Sequence, residues 1–299
     1  MGIGMDDELT RDLADLRTYG PIPPATPRAE TVARLAQIAR DVRMRDAVMI
    51  HQAGQGHIGG DYSVIDILVT LYFAVMRYDP HNLTDPERDR LVLSKGHTAG
   101  ALYTTFAALG VIDPAELTTF MTPLSRLNGH PARQKLPGVE ATTGPLGHGL
   151  PIAVGMALSG KLDGSSRRTY VITGDGELEE GSNWEALMTA AHYSLDRLTI
   201  VVDRNYLQQG YPTEVTTALD PLDAKAAAFG CEVSQVDGHS YGSMLDEFAR
   251  SSASGKPRLI IAHTTKGFPI SFMSGQVSWH HKVPSEDQVR QIARELEES

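Results

Sequence analysis

Apolar residues recur at helical spacing over residues 28–50, where Val32, Leu35, Ala36, Ala39 and Val42 line one face. A glycine-rich loop, 52–62, follows, and Ser63 and Asp66 then cap a second helix reaching about Met76. Arg90-Leu-Val-Leu-Ser reads as a short strand and residues 98–109 as a helix. A further helix starts near Leu150 and ends before Gly164. Two apolar strands, Thr169-Tyr-Val-Ile-Thr and Leu198-Thr-Ile-Val-Val, then bracket another helix. Ser182 and Glu185 give that helix an S-x-x-E capping box, and Trp184, Leu187, Met188 and Ala191 its apolar stripe. A helix at 221–229, a strand at 232–236, a helix at 241–252, a strand from Arg258 and a helix capped by Ser285 and Gln288 complete the pattern. Strands alternating with helices imply a mainly parallel sheet covered on both faces: an α/β chain forming a single three-layer αβα domain.

Two segments fall outside that rhythm. Residues 1–28 are acidic, then carry Pro21, Pro23, Pro24 and Pro27, and read as an N-terminal arm outside the core, with the domain over 29–299. Residues 121–148 lack periodicity and are rich in Gly, Pro and His, so they read as a long ordered loop; such loops are usually functional.

Composition narrows the function classes. The net charge of −10 argues against a nucleic-acid surface. The single cysteine, Cys231, excludes a disulfide framework and most cysteine-based metal sites, and fits a reducing cytoplasm. No apolar run is read as approaching the roughly 18 residues that span a bilayer, and the N-terminus has no secretory pattern.

The candidate chemistry lies where the two central strands end. The first runs into Gly174-Asp175-Gly176 and the second into Asp203-Arg204-Asn205. In open α/β sheets ligands bind at that edge. The spacing between Asp175 and Asn205 suits a βαβ crossover, and two hard oxygen ligands suit magnesium or calcium holding a phosphate. Glycines 174 and 176 would let the phosphate approach the backbone. The alternative is an ordinary βαβ unit with a surface Asp and a turn Asn.

Gly54-Gln-Gly-His-Ile-Gly matches a dinucleotide fingerprint, but a helix and not a strand precedes it, so it reads as a decoy. Of eleven histidines, five follow glycine in loops: His57, His97, His130, His148 and His239; His280 and His281 share a late loop. Imidazoles near neutral pH donate to phosphates and hydroxyls and shuttle protons, which suits a phosphorylated sugar. Zinc is the weaker reading, because no paired Cys/His spacing appears.

With these residues in view, the chain resembles the N-terminal, diphosphate-binding part of transketolases over about residues 32–290. The motifs are GHIGG (56–60), LSKGH (93–97), NGHP (128–131), TGPLGHGL (143–150), GDGELEEG (174–181), VDRNYLQ (202–208), VDGH (236–239), TTKG (264–267) and WHHK (279–282). Similarity is greatest to the stand-alone N-terminal subunits of split transketolases. The resemblance implies the thiamine diphosphate-binding fold, with thiamine diphosphate and Mg2+ as cofactors and Ca2+ able to substitute. It implies Asp175, Asn205 and the carbonyl of Leu207 on the metal; Gly174, Gly176 and His97 against the diphosphate; and Gly144, Pro145 and Leu146 along the cofactor. His57, His130 and His280 would face the reacting carbons and sugar hydroxyls, with His280 also touching the cofactor. Glu180 would lie near an interface between subunits.

The departures are His148 for the usual Gln, Ile58 for Pro, Lys95 for Asn, and Asp61-Tyr62 for small residues. His148, Lys95 and His281 are left without a role. Full-length relatives carry a second, pyrimidine-binding domain with an activating glutamate, so the resemblance implies a partner subunit supplying that glutamate in an α2β2 heterotetramer. The implied activity is transfer of a two-carbon ketol unit from a ketose phosphate to an aldose. Components resembling 1-deoxyxylulose-phosphate synthase or 2-oxo-acid dehydrogenases, and a non-catalytic transketolase-like subunit, are the alternatives. The GHP (129–131) and WHHK segments disfavour the first two, and the intact Asp175/Asn205 pair with the histidine set the third.

Overall fold

The computed structural model describes residues 17–252 and 254–298. Its centre is a five-stranded, wholly parallel sheet in the order β1-β2-β3-β5-β4. The strands are β1 (Arg90–Leu93), β2 (Thr169–Gly174), β3 (Leu198–Arg204), β4 (Glu232–Asp237) and β5 (Arg258–His263). The α-helices longer than four residues are α1 (Arg28–Ala53), α2 (Ile58–Thr70), α3 (Ala99–Leu109), α4 (Gly149–Leu162), α5 (Gly181–His192), α6 (Leu222–Ala228), α7 (Tyr241–Ala249) and α8 (Glu286–Glu298).

The continuous apolar runs of the strands follow from burial on both faces. Tyr170, Ile172, Val201 and Ile260 point into one core with α1, α2, α3, α7 and α8. Val171, Ile200, Val202 and Ile261 point the other way, against α4, α5 and α6. This is the three-layer αβα domain that the alternation of elements implies. The register pairs Gly174 with Asp203, so Asp175 and Asn205 leave neighbouring strands at the same edge.

Several local readings need correction. Helix α2 starts at Ile58 and not at Ser63; Ser63 and Asp66 are buried within it and cap nothing. Ser63 donates to Asp203 at 2.6 Å, and Asp66 takes a two-pronged ion pair from Arg43 at 2.8 and 2.6 Å. Gly59 and Gly60 sit inside this helix because neighbours press on it: a Cβ on Gly59 would lie 2.6 Å from the Trp279 carbonyl. With the π turn Leu71–Val75, the stretch Ile58–Val75 is in fact long and apolar enough to cross a membrane, but 89% of it is buried inside the protein as a core helix.

Helix α5 likewise has no side-chain cap, and the Ser182 hydroxyl instead donates to the Gly147 carbonyl at 2.6 Å. Its buried face is Asn183, Ala186, Leu187 and Ala190, with Met188 exposed. The Ser285/Gln288 box does form, Ser285 N–H to Gln288 Oε1 at 2.9 Å and Gln288 N–H to Ser285 Oγ at 3.4 Å. Gly54 is a left-handed C-cap of α1, which accounts for the decoy glycine motif. Most of the N-terminal arm lies outside the described residues. Its described end packs on the domain through Ile22, which is buried and whose N–H donates to the Phe73 carbonyl at 2.7 Å.

Two carboxyl groups are sealed between α1, α2 and α3. Asp61 Oδ1 accepts the Ala101 N–H at 3.1 Å, while Asp61 Oδ2 and both Asp46 oxygens have no hydrogen-bond partner among the described residues. Burial pushes the Asp61 carboxyl up to about 7, and Asp46 rises through burial and the neighbouring Asp61. An unfolded Asp ionises near 3.9, so between about pH 4 and pH 7 the folded chain holds a proton that the unfolded chain releases. This group's contribution to stability is therefore full below pH 4 and falls as pH rises. Asp61→Asn, neutral at every pH, should gain stability over the unaltered chain by roughly 1.4 kcal/mol per pH unit across that window. Thermal midpoints of both proteins from pH 5 to pH 8 read this directly; a constant difference would refute the buried proton.

Candidate active site

A cavity of about 390 Å³ opens at the carboxyl edge of the sheet, within the range of small-molecule sites. It is lined by residues following β1, β2, β3 and β5 and by the His280–His281 loop.

On its oxygen-donor side, Asp175 caps a 3-10 turn, with Oδ1 accepting the Gly176 N–H at 2.9 Å and Oδ2 the Tyr206 N–H at 2.6 Å. Tyr206 adopts a left-handed conformation, φ 65°, and Leu207 bridges back to Pro212. That turn brings Asn205 and Leu207 to the same cavity as Asp175. Burial first, and the Asp203 carboxylate second, push Asp175 up to about 6 against the opposing Arg204 guanidinium. It is an anion short of positive charge beside two neutral oxygen donors, a set that fits a hard divalent cation. Gly176 is crowded, since a Cβ there would lie 2.9 Å from Cβ of Gln208, while a Cβ on Gly144 would meet only His130 Cγ, at 3.9 Å.

The histidines form a group around His57. Ring-centroid distances from it are 4.1 Å to His281, 5.2 Å to His97, 5.6 Å to His280 and 6.4 Å to His130. Burial, then His281, lowers His57 to about 4; burial, then Lys266, lowers His280 to about 2. Burial also lowers His97 and His130. Near pH 7 these four rings are neutral, so each offers one donor and one acceptor and carries no charge. His57, His280 and His281 bring ring nitrogens within 4.8 Å of one another, a grouping that spacing along the chain does not reveal.

Two other glycine-preceded histidines lie outside the cavity. His148 is exposed, its Nδ1 on the Leu146 carbonyl at 3.0 Å, and His239 packs behind the wall. Leu146 lines the cavity, Pro145 is exposed beside it, and Glu180 is exposed at the start of α5.

Three residues of the cavity lining escaped the sequence reading. Lys95, left there without a role, is buried in the lining; its ammonium pairs with Asp203 and reaches the Gly60 carbonyl at 3.3 Å. Lys266, unremarked within TTKG, faces His280 Nδ1 at 2.9 Å, and burial followed by Lys95 lowers it to about 8. Glu177 is buried and accepts from the Ser94 hydroxyl and from the N–H groups of Gly147 and Gly174, both at 3.0 Å. Each lies directly beside a motif glycine, Gly96, Gly267 or Gly176, the one signal that marked them.

Residues 34–297 match the family described as transketolase, thiamine diphosphate binding domain. The chain is 47% identical over 265 residues to an apulose-4-phosphate transketolase subunit of Actinobacillus succinogenes, covering 88% of this chain and 96% of that one. It is 40% identical over 250 residues to a 6-deoxy-6-sulfo-D-fructose transketolase subunit of a Clostridium species, covering 83% and 90%. The solved transketolase of Leishmania mexicana superposes with a TM-score of 0.80 at 31% identity, covering 88% of this chain and 41% of that chain. The chain thus spans about two fifths of that larger transketolase but nearly all of the two single-subunit relatives.

Glu177 ties three loops of the cavity together. Glu177→Ala would strand two buried N–H groups and a hydroxyl, costing about 3 kcal/mol or more. Urea unfolding measures that loss; a loss below about 1 kcal/mol would show that the loops hold without it.

Proposed function

The chain belongs to the transketolase family, as its thiamine diphosphate-binding domain, and on that premise we propose that it is the cofactor-binding subunit of a two-component transketolase. It moves a two-carbon ketol unit from a ketose phosphate to an aldose. The observation that carries this reading is the meeting, in one cavity, of the Asp175, Asn205 and Leu207 oxygen donors with a ring of neutral imidazoles.

In this reading Asp175, Asn205 and the Leu207 carbonyl hold Mg2+, with Ca2+ able to take its place, and the cation answers the charge that Asp175 lacks. Thiamine diphosphate, when bound, supplies the carbanion chemistry. Lys95 and Lys266 place ammonium groups in the lining, as a diphosphate requires, and His97 donates beside them. His57, His130 and His280, neutral near pH 7, donate to sugar hydroxyls and accept their protons. The partner subunit contributes the pyrimidine-binding domain and the activating glutamate, in a two-plus-two assembly. A cytoplasmic setting belongs to the same reading, supported by the one free, buried cysteine.

The purified chain alone should show no ketol transfer, and mixing it with its partner should restore turnover. Apulose 4-phosphate is the first donor to assay, from the name of the 47% identical relative. Clear turnover by the chain alone would overturn the two-component reading. Calorimetry on the complex separates the metal ligands: Asp175→Ala should abolish magnesium-dependent cofactor binding, and Asn205→Ala, which removes a neutral ligand, should weaken it less. Unchanged affinity in Asp175→Ala would refute the metal assignment. His57→Ala should keep cofactor affinity and lose rate by about 10²- to 10⁴-fold. His192→Ala, on α5 away from the cavity lining, should lose neither, and equal rates for these two variants would sink the histidine assignment.

A further inference from the structure

His239 lies behind the cavity wall, bonded on one side to Asp66 of α2 and on the other to the loop that follows β5. Its Nδ1 meets Asp66 Oδ2 at 2.8 Å, and its Nε2 accepts the Thr265 N–H at 2.9 Å. Phe268 stacks on the ring, with centroids 4.0 Å apart and planes 25° from parallel. We infer that His239 is a positioning residue, a neutral imidazole that locks the 264–267 loop in place and thereby sets the Lys266 ammonium against His280.

Asp66 fixes the ring's tautomer. It is 2% exposed and takes Arg43 in a two-pronged ion pair, with the Tyr241 hydroxyl as a further donor. Burial would raise its pKa, but Arg43 and His239 hold it well below the ordinary carboxylate range. It is therefore ionised and can only accept, so His239 Nδ1 must carry the hydrogen. The neutral ring then has a bare Nε2, which is what the Thr265 N–H requires. A second ring proton would set one N–H against another, so the two neighbours together select one form.

The loop so held is short and bears directly on the cavity. The Thr264 hydroxyl donates to the Asp203 carboxylate, and the Gly267 N–H donates to the Gly59 carbonyl at 2.9 Å. Between these anchors, the Thr265 N–H on His239 sets the direction in which Lys266 leaves the backbone. Lys266 lines the cavity and reaches His280 Nδ1 at 2.9 Å. With the ammonium donating to Nδ1, the hydrogen of neutral His280 sits on Nε2. His239 thus acts on the cavity through one amide and one lysine, without touching a ligand itself. The link to cofactor affinity rests on the proposed cofactor site; the link to His280 does not.

Two amide substitutions separate the two sides of the ring. His239→Gln can place its side-chain oxygen where Nε2 was and still accept the Thr265 N–H. His239→Asn keeps a donor near Nδ1 for Asp66 but has no acceptor within reach of Thr265. Nitrogen-15 spectra of the histidine rings should show His239 protonated on Nδ1. They should show the His280 signals displaced in His239→Asn and His239→Ala and near their original place in His239→Gln. In the complex with its partner, the thiamine diphosphate dissociation constant with magnesium should rise about 10- to 100-fold in the Asn and Ala variants, as for other residues that orient a ligand-contacting group, and recover in the Gln variant. A merely structural role would lower thermal midpoints without separating Gln from Asn in either readout. Equal behaviour of Gln and Asn, or His280 signals unmoved in His239→Ala, would overturn the inference. If the unaltered complex bound no thiamine diphosphate, the proposed function would fall, and the ring spectra would still decide the role of His239.

Discussion

A single fully buried carboxylate, Asp203, holds together the segments from which the cavity is built. It stands at the end of β3 and takes the Lys95 ammonium from beyond β1, the Ser63 hydroxyl from α2 at 2.6 Å and the Thr264 hydroxyl from beyond β5. Burial would raise its pKa, but Lys95 and the two hydroxyls hold it down, so it remains an anion. A buried ion pair of this kind gives little net stability over an apolar replacement, yet breaking it leaves a charge with nowhere to go, at about 3–5 kcal/mol. Its value here is geometric: four chain segments must arrive together for the charge to be satisfied.

Around that fixed point the cavity sorts its ionisable groups. Burial drives His57, His97, His130 and His280 neutral, while Lys95 is paired with Asp203 and Lys266 is lowered only to about 8. Asp175, already close to Asp203, is left with a partly opposed charge that Arg204, 3.3 Å away and shared with Glu214, does not fully meet. One position therefore calls for a cation and an adjacent one carries ammonium groups, the pairing that a divalent metal with a diphosphate satisfies. The neutral rings next to them give hydroxyls both donors and acceptors.

What the sequence made legible follows the reach of each signal. The βαβ unit, the two-faced sheet, α1 and the Ser285/Gln288 cap are local or periodic, and they stand as read. The expected caps at Ser63, Asp66 and Ser182 fail because those side chains bond to Asp203, Arg43 and Gly147, distant in the chain, and a local motif cannot report that. The apolar run at Ile58–Val75 was missed because Asp61, Ser63 and Asp66 interrupt it, and all three are buried with the rest. Glycine-preceded histidines marked the cavity well at 57, 97 and 130 but not at 148 or 239, since a glycine beside a histidine signals a turn and not the direction of the ring. Lys266 and Glu177 were missed because a lone Lys or Glu is ordinarily a surface residue, and only burial reveals its purpose.

The state of the carboxylates bears on why the proposed reaction calls for a second chain. Among the described residues lining the cavity, the carboxylates are Asp175 and Glu177. Glu177 already accepts from two backbone N–H groups and a serine hydroxyl, and turning it toward a ligand would strand all three. Asp175 is committed to the Gly176 and Tyr206 amides and, in the proposed function, to the metal. A proton-relaying acid must be free to change its bonding during the reaction, and neither of these is. The imidazoles can pass protons to and from sugar hydroxyls, but an imidazole is either neutral or cationic and cannot supply a fixed negative charge. Neither carboxylate is therefore free for that role, which fits the proposed partner subunit as its source.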